Sequence, residues 1–271
     1  MHINNIQNSS LNITNTNFKG FQRTITKPNK GLLYRNDTWF FRNEGFWNDL
    51  TTFLKEKYKN VPKVNVYNYG CSDGSEPLSF VMKILALNDK DLEKKFLPIT
   101  AKDIDEFVIK KAKSKDYFFL KKDEKDKINL FTNGQFKNFF SEIDNSLNGC
   151  FAYANPNLYN HINFSVADIK KDYKNIKPEN SIIFVRNFWP YIKPERNIIN
   201  TIKNAFNKNS DEIAENKKAR LEILKNLFSH LEKNSLIIIG DFDEKQIYNF
   251  EQEIQDAGFK KTTLKYVFEK V

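Results

Sequence analysis

The sequence predicts an α/β domain, a mostly parallel sheet flanked by helices with a small inserted subdomain. Three observations carry this. Val64, Val66 and Tyr69 lean toward a buried strand, Gly70 and Gly74 break the chain into a tight turn, and Pro77-Leu78-Ser79-Phe80-Val81-Met82 opens an apolar helix pattern. Further short apolar runs then alternate with helical patterns, the rhythm of βαβ units. The chain has 271 residues, 40% of them hydrophobic, which suits one α/β domain with a small appendage.

Residues 1 to about 30 are rich in Asn, Ser and Thr, show little apolar periodicity and end at Pro28-Asn29-Lys30-Gly31, so a flexible arm is expected before a domain spanning 31–271. From Phe40 to Tyr58, the residues Phe41, Phe46, Trp47, Leu50, Phe53 and Leu54 recur at helical spacing, with Asp37-Thr38 available as a cap. After the first strand and its helix, Leu97 to Ala101 reads as a second strand ending at Asp103-Ile104-Asp105, and Glu106 to Lys115 as a helix. Lys121 to Asn160 reads as an insertion with a helix around Phe136, Phe139 and Phe140 and a small hairpin. A third strand spans His161 to Ala167 and a fourth Ser181 to Val185. The pattern Glu195 to Lys233 is helical with a break at Lys208-Asn209-Ser210. Ser235 to Gly240 is a fully buried strand, Gln246 to Ala257 a helix, and Gly258 to Val271 supplies one or two closing strands.

Composition narrows the function. No apolar run approaches the roughly 18 residues that a membrane span needs, and Met1-His2-Ile3-Asn4-Asn5 lacks the basic-then-apolar pattern of a leader, so a cytoplasmic protein without membrane insertion is expected. Two cysteines, Cys71 and Cys150, and three histidines offer no metal-ligand spacing, which argues for a metal-free protein. The formal charge of +9 comes from Lys pairs scattered along the chain and interleaved with acids. A basic tract for nucleic acid would be clustered, so that partner is disfavoured.

The turn at Gly70 to Pro77 is the sharpest chemical signal. It gathers bare backbone N–H groups and the positive end of a helix at the end of a strand, where α/β proteins hold nucleotide-like ligands. Its glycines lack the G-x-G-x-x-G spacing, and Glu76 inside the turn would repel a phosphate. A carboxylate there suits an ammonium group, and S-adenosylmethionine, a nucleoside that bears an amino acid, meets that demand.

Gly70-Cys71-Ser72-Asp73-Gly74-Ser75-Glu76-Pro77 resembles the G-C-S-x-G-x-E-P motif of the CheR family, the S-adenosylmethionine-dependent protein-glutamate methyltransferases that act on chemotaxis receptors. Four more stretches match in order: Asn36 to Arg42, Asp103-Ile104-Asp105, Phe164 to Ile169, and Val185 to Tyr191. The resemblance covers roughly Tyr34 to Gly240. It implies a class I, Rossmann-like methyltransferase fold with a seven-stranded sheet, S-adenosylmethionine as cofactor, and a protein substrate, the cytoplasmic domain of a chemoreceptor. By the same resemblance Gly70 and Glu76 meet the methionyl moiety, Asp103 the ribose, and Asp168 and Ile169 the adenine, while Arg186 and Asn187 line the far end of the cleft and Val185 before them also binds the cofactor. Asn36, Thr38 and Arg42 close over the methionyl end, and Arg42 and Tyr191 hold the acceptor carboxylate. The family's usual N-terminal helical domain has no counterpart in the polar arm, and Trp189-Pro190 replaces smaller residues beside the acceptor pocket.

Two other readings stay open on sequence. One is a methyltransferase for RNA or a small molecule on the same cofactor half, although no N/D-P-P-Y follows the fourth strand. The other is an inactive regulatory relative, which the joint presence of Glu76, Asp103, Arg42 and Tyr191 disfavours.

Overall fold

The computed structural model describes residues 38–146, 148–194 and 210–271. The expected arm, Asn36 and the start of the long helical pattern at 195–209 lie outside the described residues.

Five parallel strands form the body of the main sheet: β1 (Asn65–Tyr69), β2 (Ile99–Asp103), β6 (Ile162–Val166), β7 (Ser181–Phe184) and β8 (Leu236–Ile238). Two more, β9 (Lys260–Lys261) and β10 (Val267–Glu269), close it, giving the order β6-β2-β1-β7-β8-β10-β9 with β10 antiparallel to both neighbours. The chain winds outward from β1 through β2 to β6, then returns to pair β7 with β1. That reversal leaves a crevice beyond the carboxyl ends of β1 and β7, the place where open α/β sheets bind ligands.

Both faces of β1 are covered, so it reads as a nearly continuous buried run. One face packs under helices α1 (Phe46–Lys57), α2 (Ser75–Leu85) and α3 (Lys90–Phe96), with Val66, Leu78, Phe80, Phe96 and Phe184 in one apolar cluster. On the other face Tyr67, Tyr69, Ile183 and Ile237 meet Leu224 and Leu227 of a long helix, Ser210–His230, and Ile254 of a short one, Phe250–Asp256. A bidentate ion pair between Arg220 and Glu253 (2.8 and 2.7 Å) joins those two helices. Among the described residues no helix is long and apolar enough to cross a membrane.

Several sequence expectations shift. The first helix starts at Phe46, because Gly45 (φ 80°) caps it and Phe40-Phe41 form a turn ahead of it; Thr38 is not the cap. The polar stretch after α2 holds α3, started by Asp89, whose side chain accepts from the N–H groups of Asp91 and Leu92. The insertion is larger than a hairpin and starts earlier: β3 (Phe118–Lys121), β4 (Phe140–Ser146) and β5 (Gly149–Ala154) form a separate antiparallel sheet in the order β3-β5-β4. Helices α5 (Lys122–Phe131) and α6 (Phe136–Phe139) connect them. Among the described residues the remaining α-helices are, in chain order, α4 (Glu106–Ser114), α7 (Ile169–Asp172), α8 (Ser210–His230), α9 (Asp241–Gln246) and α10 (Phe250–Asp256). The helix expected over Gln246 to Ala257 is α10, which starts only at Phe250 because Asn249 turns left-handed (φ 57°), and α9 is a further helix ahead of it.

Candidate active site

The turn between β1 and α2 is held by its own polar groups. Asp73, buried, accepts from the N–H (3.0 Å) and hydroxyl (2.6 Å) of Ser75, and Asp103 at the end of β2 accepts from the N–H of Ser72 at 2.9 Å. Gly70 sits at φ 72°, and an added Cβ would lie 3.0 Å from the Phe188 ring, so conformation and space both require glycine. Ser72 is left-handed too, at φ 50°. Non-glycine residues in that region are uncommon; Asn187 (φ 64°), in the loop after β7, is another.

Glu76, in the first turn of α2, is not alone. Its two oxygens accept from Asn68 Nδ2 at 2.8 Å and from Arg186 at 2.6 Å. The Arg186 side chain is 1% exposed and that of Glu76 14%. Arg186 thus stands beside Glu76 at the β1–α2 turn rather than at the remote end of the cleft, a correction to the sequence reading. It also reaches the backbone oxygen of Arg42 at 3.4 Å and lies against the rings of Phe46 and Trp47, 5.2 and 5.8 Å from their centres. One guanidinium therefore ties together α2, the segment before α1 and the loop after β7.

That segment is fixed by the rest of the domain. Phe40 donates its N–H to Glu124 of α5 at 2.8 Å, and Phe41 donates to Ser79 of α2 at 2.9 Å. The Phe40 ring meets Phe118 and Phe140 edge-on at 5.1 and 5.2 Å, so the insertion supports the site from behind. Arg42 lies flat on Trp39 at 3.7 Å, a cation–π contact. Thr38 is half-buried beside it.

On the opposite side, Asp168 caps α7 by accepting from the Lys170 N–H at 3.0 Å, and Ile169 is buried. Burial pushes the Asp103 carboxyl above its usual range, against donors from Asp105 and Ser72 that pull it down. Ile104, next to Asp103, is 46% exposed, and with Phe107 and Val166 it leaves an apolar surface around the strand ends. Asp172 fixes α7 to the sheet, accepting from Lys102, Tyr69 and Asn175.

Val185 is buried, and beyond Arg186 the chain turns so that Trp189 enters the core, 0% exposed, with its ring N–H on the Val185 carbonyl at 2.6 Å. It does not border an acceptor pocket; the bulky ring is used for packing. Tyr191 is half-buried and stacked on Phe242 of α9, ring centres 6.2 Å apart. Burial pushes neighbouring Asp241 up, but Lys245, by hydrogen bond and charge, and then the charges of Arg42 and Arg186 hold it below the usual carboxylate range.

The residues fit an S-adenosylmethionine-like ligand. Buried Ser72 Oγ, Asn68 Oδ1 and Arg186 Nε, all at this crevice, have no hydrogen-bond partner among the described residues, and such atoms are normally satisfied. The acid ending β2 and the open glycine turn stand where a nucleoside would lie. The sheet order is that of the class I, Rossmann-like methyltransferase fold. The chain belongs to the CheR methyltransferase family, whose S-adenosylmethionine-binding domain matches residues 36–211. Similar solved structures include magnesium protoporphyrin IX methyltransferase (ChlM) from Synechocystis PCC 6803 with bound SAM, at 12% identity over 82% of this chain and 76% of that one, TM-score 0.38. Another is precorrin-6y C5,15-methyltransferase from Geobacter metallireducens GS-15, at 8% identity over 83% and 80%, TM-score 0.37. Likenesses this distant say nothing of which acceptor this chain methylates. No curated protein matches the chain.

Proposed function

We propose that this methyltransferase acts on glutamate side chains of a protein, a chemoreceptor cytoplasmic domain being the partner that family membership favours. The observation that carries the reading is Arg42, set on the Trp39 ring and close enough to Asp241 to lower its carboxyl, with Tyr191 stacked on the adjoining Phe242, in segments that contain no histidine. Such a rim suits an anion. A carboxylate acceptor is already ionised at neutral pH and needs no general base, whereas an amine or hydroxyl does.

Bound S-adenosylmethionine supplies an electrophilic methyl group on sulfonium. The chain's task is then orientation, which can lower a barrier by several kcal/mol. Glu76 and Arg186 offer opposite charges side by side, complementary to the ammonium and carboxylate of the methionyl end; a carboxylate has about four lone-pair sites, of which Glu76 uses two. Asp103 faces the ribose, Asp168 and Ile169 the adenine, and Gly70 lets the turn approach. Arg42, backed by Trp39, and Tyr191 hold the acceptor carboxylate, with Asn36 and Thr38 closing over the methionyl end. The exposed aromatic group Tyr117, Phe151 and Tyr153 on the inserted sheet gives a protein substrate a surface to rest on.

The test is to incubate the protein and labelled cofactor with a cell lysate, separate the labelled species and treat them with mild alkali. A carboxyl methyl ester releases volatile methanol. Volatile label from a protein band supports the proposal; stable label in RNA or a small molecule overturns it, and no label despite tight cofactor binding points to an inactive relative.

A further inference from the structure

Asp243 is fully buried on α9, and its carboxylate does more than cap that helix. It accepts from the N–H of Gly240 at 2.9 Å, the capping bond, and from two N–H groups of the loop after β7, Asn187 at 2.6 Å and Trp189 at 3.2 Å. A buried carboxylate costs several kcal/mol to desolvate, and a cap alone needs no burial. The tie is reciprocal, since the Phe242 N–H donates back to Asn187 Oδ1 at 3.3 Å. The two loops lie so close that a Cβ on Gly240 would fall 2.0 Å from that oxygen. Arg186, directly before the anchored Asn187, extends to Glu76, and Phe188, between the two anchored residues, covers Gly70.

We propose that Asp243 is a positioning residue for the cofactor's methionyl end: through the main-chain N–H groups of Asn187 and Trp189 it fixes the loop that presents Arg186 to Glu76. The inference rests on the reading of Glu76 and Arg186 as the ligands of that end. Arg186 acts on the ligand and Asp243 acts on Arg186. The adenosine half is built from β2 and β6 and does not depend on this loop.

Calorimetry on the full chain separates the two halves. S-adenosylhomocysteine carries the amino-acid end; 5′-methylthioadenosine lacks it. Asp243→Asn turns an amide N–H₂ toward backbone donors and should weaken S-adenosylhomocysteine about tenfold or more, the loss of a charged hydrogen bond, with 5′-methylthioadenosine changed by about twofold at most. Gly240→Ala displaces the same loop with every charge kept, and decides the matter if Asp243→Asn does not fold; the same selective loss is expected. Unchanged S-adenosylhomocysteine affinity, or equal weakening of both ligands, overturns the proposal. Glu76→Gln serves as reference: if it alone is selective, Asp243 has no positioning role, and if it leaves both affinities unchanged, the methionyl-end reading falls and takes this proposal with it.

Discussion

Asp172 and Asp243 each tie a loop to the rim of the crevice, yet they are held by different donors. Asp172, on the side proposed for adenosine, meets an ammonium, a phenol and an amide: Lys102 and Tyr69, both at 2.5 Å, and Asn175 at 2.8 Å. Asp243, on the side proposed for the methionyl end, meets backbone N–H groups from two loops. Burial pushes both carboxyls up. At Asp172 the hydrogen bonds of Asn175, Lys102 and Tyr69, with the Lys102 charge, win, and it stays below its usual range. At Asp243 burial wins and pushes it up to about 7. One half of the site is fastened by compensated charge, the other by buried charge whose compensation lies farther off, in Arg186.

The largest expected effect follows from that difference. Arg186→Ala leaves Glu76 without its cation and Asp243 without its nearest positive charge, so it should cost about 3–5 kcal/mol in urea unfolding. Lys102→Ala leaves Asp172 two neutral donors and should cost less, about 1.5–3 kcal/mol. Equal losses would break the comparison.

The pH dependence should have opposite signs in the two halves. Asp243 has a raised folded pKa, so the folded state binds the extra proton and this group's contribution to stability is lost as pH rises from about 4 to about 7. Asp172 has a lowered one, so its contribution is present above the unfolded value and is lost as pH falls through the folded value. Melting temperatures of Asp243→Asn and the parent chain should converge or cross between about pH 4 and about pH 7; a constant difference would mean that Asp243 does not titrate there. The smallest effect is expected at Asp168, whose cap of a four-residue helix is worth about 1 kcal/mol in Asp168→Ala, again by urea unfolding.

What the sequence made legible is what is local. Gly70 to Pro77 encodes its turn within eight residues, and Asp103 and Asp168 follow strands whose apolar runs announce them. Arg186 was visible as a residue but not as the partner of Glu76, because the two lie 110 positions apart and meet only when β7 pairs with β1. Asp243 gave no sign; in sequence it is one more acid in Asp241-Phe242-Asp243-Glu244, and its burial comes from two loops closing on it. The inserted sheet was under-read because β3 begins in an aromatic run, Tyr117-Phe118-Phe119, without the alternation of a one-sided strand, while α3 is only seven residues long and largely charged.

The central claim is that Glu76 and Arg186 together receive the methionyl end. A crystal structure of the S-adenosylhomocysteine complex tests it most directly. The account predicts the ligand's ammonium within hydrogen-bond distance of a Glu76 oxygen and its carboxylate within that distance of the Arg186 guanidinium, the ion pair between them retained. A methionyl end directed away from both, with the pair sealed beneath it as a purely internal bridge, would contradict it.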